Sequence, residues 1–411
     1  MGNPVLRALR QRDFAILLGG QSVSFLGDGI FNVALAWQAL RLPSGAAALG
    51  TVFLVRSLTR VAILLVGGAL ADRYQKRLLI LTGDLLQMLA VGALAYVAAT
   101  GDVQLWQLSV VAAVTGLGSG IFLSSSSALV PEIVETGRLE SANSLRSSAQ
   151  QVMLDFLGPA LGGVLVAAAG TAAAFAVDAL TFLASIVALL FIRPRRTVEA
   201  VGPSTLFKEV REGVGYVART PWIWVSLIAV GTVGNFASFG PLNVLIPLLV
   251  REHLQAGAGA LGLVFASYGV GGFLAAIAVG SGRIRTTTPV PAYMGWMAGA
   301  IGLGCLAFVP NAVVAGAVLV VVGFGGQIGN IVWETLLQKL VPARLLGRVV
   351  SIDWLVSLSL QPLGIALAAP VAAWLGVPLT FIAGAALTTS TMSVGLSLRS
   401  VRHPEEAAAT P

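Results

Sequence analysis

The stretch "GGALADRYQKRLLILTGD" at residues 67–84 places Asp72, Arg73, Lys76, Arg77 and Asp84 in a chain that is otherwise apolar for tens of residues on either side. A burst of charge between two oily runs marks the place where a chain leaves a low-dielectric medium and re-enters it. The composition agrees: of 411 residues 56% are hydrophobic and only 10% are charged, too few charges to cover a soluble globule of that length. Apolar runs of about 20 residues, long enough to cross a hydrocarbon core of about 30 Å, recur along the whole chain. The pattern predicts an all-α membrane protein.

Twelve spans are expected, near 14–40, 47–70, 78–99, 105–128, 143–168, 172–192, 222–249, 258–281, 289–309, 312–334, 346–373 and 376–398. An even number puts both termini on one side. Of the 25 Lys and Arg residues, 21 fall in the termini and in the loops on that side, which the positive-inside rule makes cytoplasmic. This distribution also explains the net charge of +7 without nucleic acid. The one long polar stretch, "RPRRTVEAVGPSTLFKEVREGVGYVARTP" at 193–221, divides the spans six and six, and its second half has the spacing of an amphipathic surface helix. The domains expected are a six-helix half at 1–192, this cytoplasmic linker at 193–221, a second six-helix half at 222–398 and a cytoplasmic tail at 399–411.

The halves repeat. "FNVALAWQALR" at 31–41 matches "LNVLIPLLVRE" at 242–252, "LVP" recurs at 129–131 and 340–342, and Pro159 is matched by Pro370, all at one offset of 211 residues. Two parallel six-helix repeats are the signature of a transporter whose halves rock about a site near the bilayer midplane.

The segment "GALADRYQKR" at 68–77 resembles the loop 2-3 signature of the major facilitator superfamily. Gly68 permits close helix approach, Asp72 can pair with a base, and Arg73, Lys76 and Arg77 hold the loop cytoplasmic. The resemblance implies that Asp72 and Arg73 belong to a charge network that closes the cytoplasmic side. "LDFLGPALGG" at 154–163 resembles a signature of the exporter branch: Gly158 and Gly162 make a small-residue face beside Gly163, and Pro159 removes a backbone donor and can bend the helix. "SFLGDGIF", "LVPEI", "GRLESANSL", "VDALTFLAS" and "LVPARLLGRVVS" add a likeness to the macrolide-efflux and enterobactin-exporter-like group, covering essentially the whole chain. The second-half counterpart of Asp72 is Arg283, so the implied gate is asymmetric.

Ionisable residues inside a span are costly and point to function. Asp28 and Arg56 lie at similar depth, about 21 Å from the cytoplasmic ends of spans 1 and 2, which makes a pair between them possible. Arg60 follows one turn nearer the cytoplasm. Gln21, Ser24, Asp28 and Asn32 share one face of span 1, which suits either a cavity wall or a structural network. Asp155 and Asp178 lie about 18 and 21 Å into spans 5 and 6 and complete the candidate proton-coupling set; Asp178 fits equally a buried partner for a neighbouring helix. Asp84 and Asp353 sit nearer the cytoplasm and suit its charge network. The positions 211 residues after Asp28, Arg56, Asp155 and Asp178 are not ionisable. The second half is therefore expected to give an apolar and hydrogen-bonding wall from Asn235, Phe239, Asn243, Gln327, Asn330 and Trp333, with Glu334 near the inner surface.

No phosphate-binding loop occurs, so the proton gradient rather than ATP or a cofactor is the expected energy source. One cysteine, Cys305, excludes an internal disulfide and reads as a packing residue; two histidines, His253 and His403, supply no metal site and no catalytic constellation. The expectation is a non-enzymatic, monomeric, multi-pass transporter in the cell membrane. It would export an amphipathic small molecule by proton antiport; the rivals are uptake or a lipid-like substrate in the same fold, and a transport-inactive receptor or scaffold.

Overall fold

The computed structural model describes residues 9–135, 138–192, 203–239, 241–281, 284 and 287–404, apart from the side chains at 65–73, 127–128, 131, 140, 203–210 and 343–344. Arg283 lies outside the described residues, as do the side chains of Gly68, Asp72 and Arg73. The elements are helical throughout: α1 (Arg12–Arg41), α2 (Gly45–Arg73), α3 (Lys76–Thr100), α4 (Leu105–Ile133), α5 (Leu139–Gln150), a π-helical segment (Gln151–Leu157) and α6 (Gly158–Phe191). After them come α7 (Pro203–Arg219), α8 (Pro221–Ser226), a π-helical segment (Leu227–Phe239), α9 (Leu242–Leu248), a third π segment (Leu249–His253), α10 (Ala258–Gly280) and α11 (Val290–Cys305). A short 3₁₀ turn (Leu306–Phe308) leads to α12 (Ala312–Leu340), α13 (Ala343–Ser359), α14 (Gln361–Leu375), α15 (Val377–Ser397) and α16 (Arg399–Arg402).

Among the described residues, eleven segments are long and apolar enough to cross a membrane. One of them, Ser141–Phe191, is 51 residues long; a straight helix of that length would reach about 75 Å, more than twice the hydrocarbon thickness. It is two passes. Gly170 breaks it with φ 83° and ψ 174°, a conformation open to glycine alone. Contacts with α1 prove the reversal. Gly158 meets Leu26 and Gly29, and Gly162 meets Ile30 and Val33, so the first pass runs with α1. Thr171 donates to Gln38 Oε1 at 2.5 Å, Phe175 packs on Phe31, and Ser185 faces Gly20, so the second pass runs against it. The twelve expected spans are thus accounted for.

The chain divides into two compact units, Met1–Ala200 with Gly257–Ala266, and Val201–Ala256 with Ser267–Pro411. In the first, helices approach to backbone contact: a Cβ at Gly158 would lie 2.7 Å from Gly29 Cα, and one at Gly163 would lie 2.7 Å from Gly262 Cα. Near one end of this unit Phe14, Leu17, Ile80, Leu129 and Leu189 form an apolar cluster. In the second unit the core gathers around Trp222, Tyr293, Trp296 and Trp333. Helix α7 packs against α13, where Arg348 Nη1 meets Glu212 Oε2 at 2.6 Å and Gly213 lies against Arg348 and Ile352. Of its expected apolar face, Val217 is buried and Val214 is exposed.

Span 7 departs from a plain helix. Pro241 and Pro247 lack the amide hydrogen a regular ladder needs, and most of the segment follows the wider π pattern on either side of α9. Cys305 is exposed rather than packed.

Candidate transport site

In the first unit the polar stripe of α1 is built into a network. Gln21 and Ser24 are buried, and Gln21 Nε2 donates to Ser126 Oγ of α4 at 2.9 Å. Arg146 Nη1 of α5 donates to the same oxygen at 2.8 Å. Asp28 and Asn32 are half-buried. Arg56 makes no direct ion pair with Asp28; it hydrogen-bonds Asn32 Oδ1 one turn further along α1, and its guanidinium lies 5.4 Å from the centre of the Phe31 ring. Asn32 offers an acceptor that costs no buried negative charge, and Asp28 acts on Arg56 and Arg60 across a longer gap.

Asp178 stands behind α1 at a point the sequence leaves open by placing glycine there: a Cβ at Gly27 would lie 2.5 Å from Asp178 Oδ1. It is wholly buried. Thr181 Oγ1 donates to its carbonyl oxygen at 2.7 Å and to Oδ1 at 3.3 Å, while Oδ2 has no hydrogen-bond partner. Asp84, expected near the cytoplasmic network, is buried against α6 instead, where its Oδ2 accepts from Ser185 Oγ at 2.7 Å. Asp28 acts electrostatically on Arg56 and Arg60, Asp178 acts on Arg56 and Asp28, and Asp84 is coupled only to Asp28. Asp155 stands apart from them, half-buried in the π segment before Gly158.

At the 2-3 connection Lys76 Nζ pairs with Glu132 Oε1 at 2.8 Å, and Arg77 Nη2 donates to the Leu190 carbonyl at 3.0 Å. Glu132, the acid of "LVPEI", was not singled out in the sequence; the signal available was a lone acid at the end of a span, level with a basic loop. Gly68, Asp72 and Arg73 are on α2, and their side chains fall outside those described.

The second unit holds a cavity of about 410 Å³. Asn235, Phe239, Asn330 and Trp333 line it, whereas Asn243 and Gln327 do not. Asn235 Nδ2 is tied to the carbonyls of Gly231 and Ser357 at 2.8 and 2.9 Å, which fixes the π segment against α13. Trp296 Nε1 donates to Asn330 Oδ1 at 3.1 Å, and Trp333 Nε1 to Asp353 Oδ1 at 3.2 Å. The rings of Trp222, Trp333, Trp296 and Tyr293 meet in sequence, edge-on or tilted, with successive centroids 5.4, 6.2 and 6.1 Å apart. Glu334 and Asp353 are also on the wall. The mainly apolar and hydrogen-bonding wall expected of the second half thus also carries two acids, neither of which has an ionisable counterpart 211 residues earlier.

A family model described as a transmembrane secretion effector of the major facilitator superfamily matches residues 4–411. The chain belongs to this family. It is 27% identical over 392 residues to the uncharacterized major-facilitator-type transporter YfiS of Bacillus subtilis, covering 93% of this chain and 91% of that one. It is 28% identical over 389 residues to the multidrug efflux pump Tap of Mycolicibacterium fortuitum, with 90% of each chain covered. Macrolide efflux protein A of Streptococcus pyogenes is 23% identical over 376 residues, with 89% of this chain and 90% of that one covered. Among solved structures the fold matches the nucleoside transporter NupG, with a TM-score of 0.71 at 10% identity over 96% of this chain and 99% of that one. It also matches an inward-facing bacterial homologue of ferroportin, with a TM-score of 0.69 at 17% identity over 94% of this chain and 99% of that one. The protein is a multi-pass membrane transporter of the major facilitator superfamily, and these relatives are transporters rather than enzymes.

Proposed function

We propose that the protein exports an amphipathic small molecule in exchange for inward protons, alternating access between the two sides of the cell membrane with both termini cytoplasmic. The observation that carries this reading is the buried charge cluster of the first unit. Asp28 lies in the field of Arg56 and Arg60, Asp178 in that of Arg56, and Asp84 beside Asp28 with no arginine acting on it, while Asp178 Oδ2 has no hydrogen-bond partner. One carboxyl thus has no cation to balance it, and a proton is the cheapest charge to supply in a low-dielectric core. Taking up and releasing that proton changes how strongly Arg56 is held to α1, which gives the cluster two electrostatic states for a conformational cycle to use. The efflux names of Tap and macrolide efflux protein A support the outward direction, and the lack of a phosphate-binding loop supports a gradient as the energy source. The monomer works without a bound cofactor. The Lys76–Glu132 pair beside the loop 2-3 signature ties α3 to α4 and contributes to closing the cytoplasmic face.

Reconstituted vesicles with an imposed pH gradient test the proposal. Accumulation of a drug such as a macrolide should follow the gradient, stop with an uncoupler and be lost in Asp178→Asn and Asp28→Asn. Transport by both variants at the wild-type rate under the same gradient would rule the cluster out as the coupling site; uptake in the opposite direction would overturn export.

A further inference from the structure

The cavity of the second unit carries chemistry that export alone does not require. Two acids, Glu334 and Asp353, share its wall, and Asp353 feels the charge of Glu334. Among the described residues no Lys, Arg or His lines it, and Glu334 has neither an ion pair nor a hydrogen bond. Glu334 is exposed to the cavity, while Asp353 is half-buried and held in place by the Trp333 indole N–H. Around them stand the aromatic rings of Trp296, Trp333, Trp354 and Tyr268. Two like charges on one apolar wall raise each other's cost, and a bound cation removes that cost.

We propose that this cavity is a binding site for bulky organic cations, with Glu334 and Asp353 as counter-charges and the tryptophan and tyrosine rings as the surface on which the cation lies. An inorganic cation does not fit the donor set: calcium takes roughly six to eight oxygen ligands, and no metal-binding cluster of His, Cys, Asp and Glu occurs among the described residues. An organic anion would meet two carboxylates with no base to receive it. A cation whose charge is spread over aromatic or alkyl groups is served by both features at once, since ring faces attract cations and carboxylates supply the opposing charge. The volume of about 410 Å³ suits a drug-sized molecule. This site rests on the transporter reading only in that its occupant is taken to be the cargo.

The test uses purified full-length protein in detergent and two ions of nearly the same shape and opposite charge, tetraphenylphosphonium and tetraphenylborate, followed by calorimetry. Saturable binding of the phosphonium is expected, with the borate at least tenfold weaker. Glu334→Gln should weaken phosphonium binding by tenfold or more, and Asp353→Asn should weaken it less. Glu334→Asp should keep most of the affinity, and Glu212→Gln, an exposed acid of α7 outside the cavity, should leave it unchanged. Glu334 is exposed, so its variants should elute and melt like the wild type. Equal binding of the two ions, no saturable phosphonium binding, or full affinity in the Glu334→Gln/Asp353→Asn double variant would overturn the site. The measurement needs no gradient. A protein that binds the phosphonium through Glu334 yet moves nothing in vesicles loses the exporter reading and keeps the site; proton-driven export of a neutral drug without Glu334-dependent binding does the reverse.

Discussion

Replacing Gly158 by alanine tests how the first unit is held together. A Cβ there would stand 2.7 Å from Gly29 Cα, 2.7 Å from Met153 O and 2.8 Å from Leu26 O. All three are backbone atoms that no rotamer change can move aside. The shortfall from ordinary contact is about 0.7 Å, which against Gly29 and Leu26 can be recovered only by α1 and α6 separating. Overpacking of this kind costs about 1–3 kcal/mol, and alanine returns up to about 1 kcal/mol of helix propensity, so a net loss of about 1–2 kcal/mol is expected. For a unit of this size that is an apparent Tm about 3–6 °C lower, read from tryptophan fluorescence during heating in detergent. Gly29→Ala should behave alike, since its Cβ would lie 2.6 Å from Leu154 O and 2.8 Å from Gly158 Cα. The two glycines share one contact, and helices already parted by the first alanine are ready for the second. The double variant should therefore fall short of the sum by at least about 0.5 kcal/mol. Gly19→Ala on the same α1, where a Cβ meets nothing within 4 Å, should be neutral or stabilising. Strict additivity of the two substitutions, or a Gly158→Ala protein as stable as Gly19→Ala, would refute the close-approach argument.

Three further substitutions address other parts of the structure. Glu132→Gln breaks the pair with Lys76, whose side chains are 7% and 16% exposed, and should cost about 1–3 kcal/mol in thermal stability; adding Lys76→Met should recover part of it, which a double-mutant cycle on Tm checks. Gly170→Ala meets no neighbouring atom, so its expected loss of about 1–3 kcal/mol comes from backbone strain at φ 83° alone, and an alanine variant melting with the wild type would contradict it. Tyr293→Phe removes the hydroxyl that meets Ser226 Oγ at 2.9 Å, and a loss of about 0.5–1.5 kcal/mol is expected in the same melting assay.

The spans were legible because hydrocarbon imposes one length and one composition on each of them, and the small-residue face of Gly158 and Gly162 was legible because its spacing is local. The stripe Gln21–Asn32 was also readable from one helix alone. Its partners were not. Asp178 meets α1 because Gly27 leaves room there, and nothing in either stretch announces the other. Equal depth suggested Asp28 for Arg56, but depth does not fix azimuth, and the guanidinium turns to Asn32. Asn243 and Gln327 are polar like their neighbours and still miss the cavity, since which flank of a helix faces it depends on packing. Glu334 and Asp353 were readable as acids near the inner surface, but that they share one cavity wall depends on how α12 packs against α13, which neither stretch announces.

The turn at Gly170 leaves no slack between the two passes of α6. Loops on transporters usually accept an added residue without consequence, because the extra length is absorbed outside the bilayer. Here it has nowhere to go. One residue inserted beside Gly170 would rotate the second pass by about 100° relative to the first, carrying Asp178 away from Gly27 and towards another helix face. The turn therefore acts as an angular index. It sets which side of the returning helix looks at α1, and with it whether the buried carboxyl and the arginine of α2 belong to the same circuit.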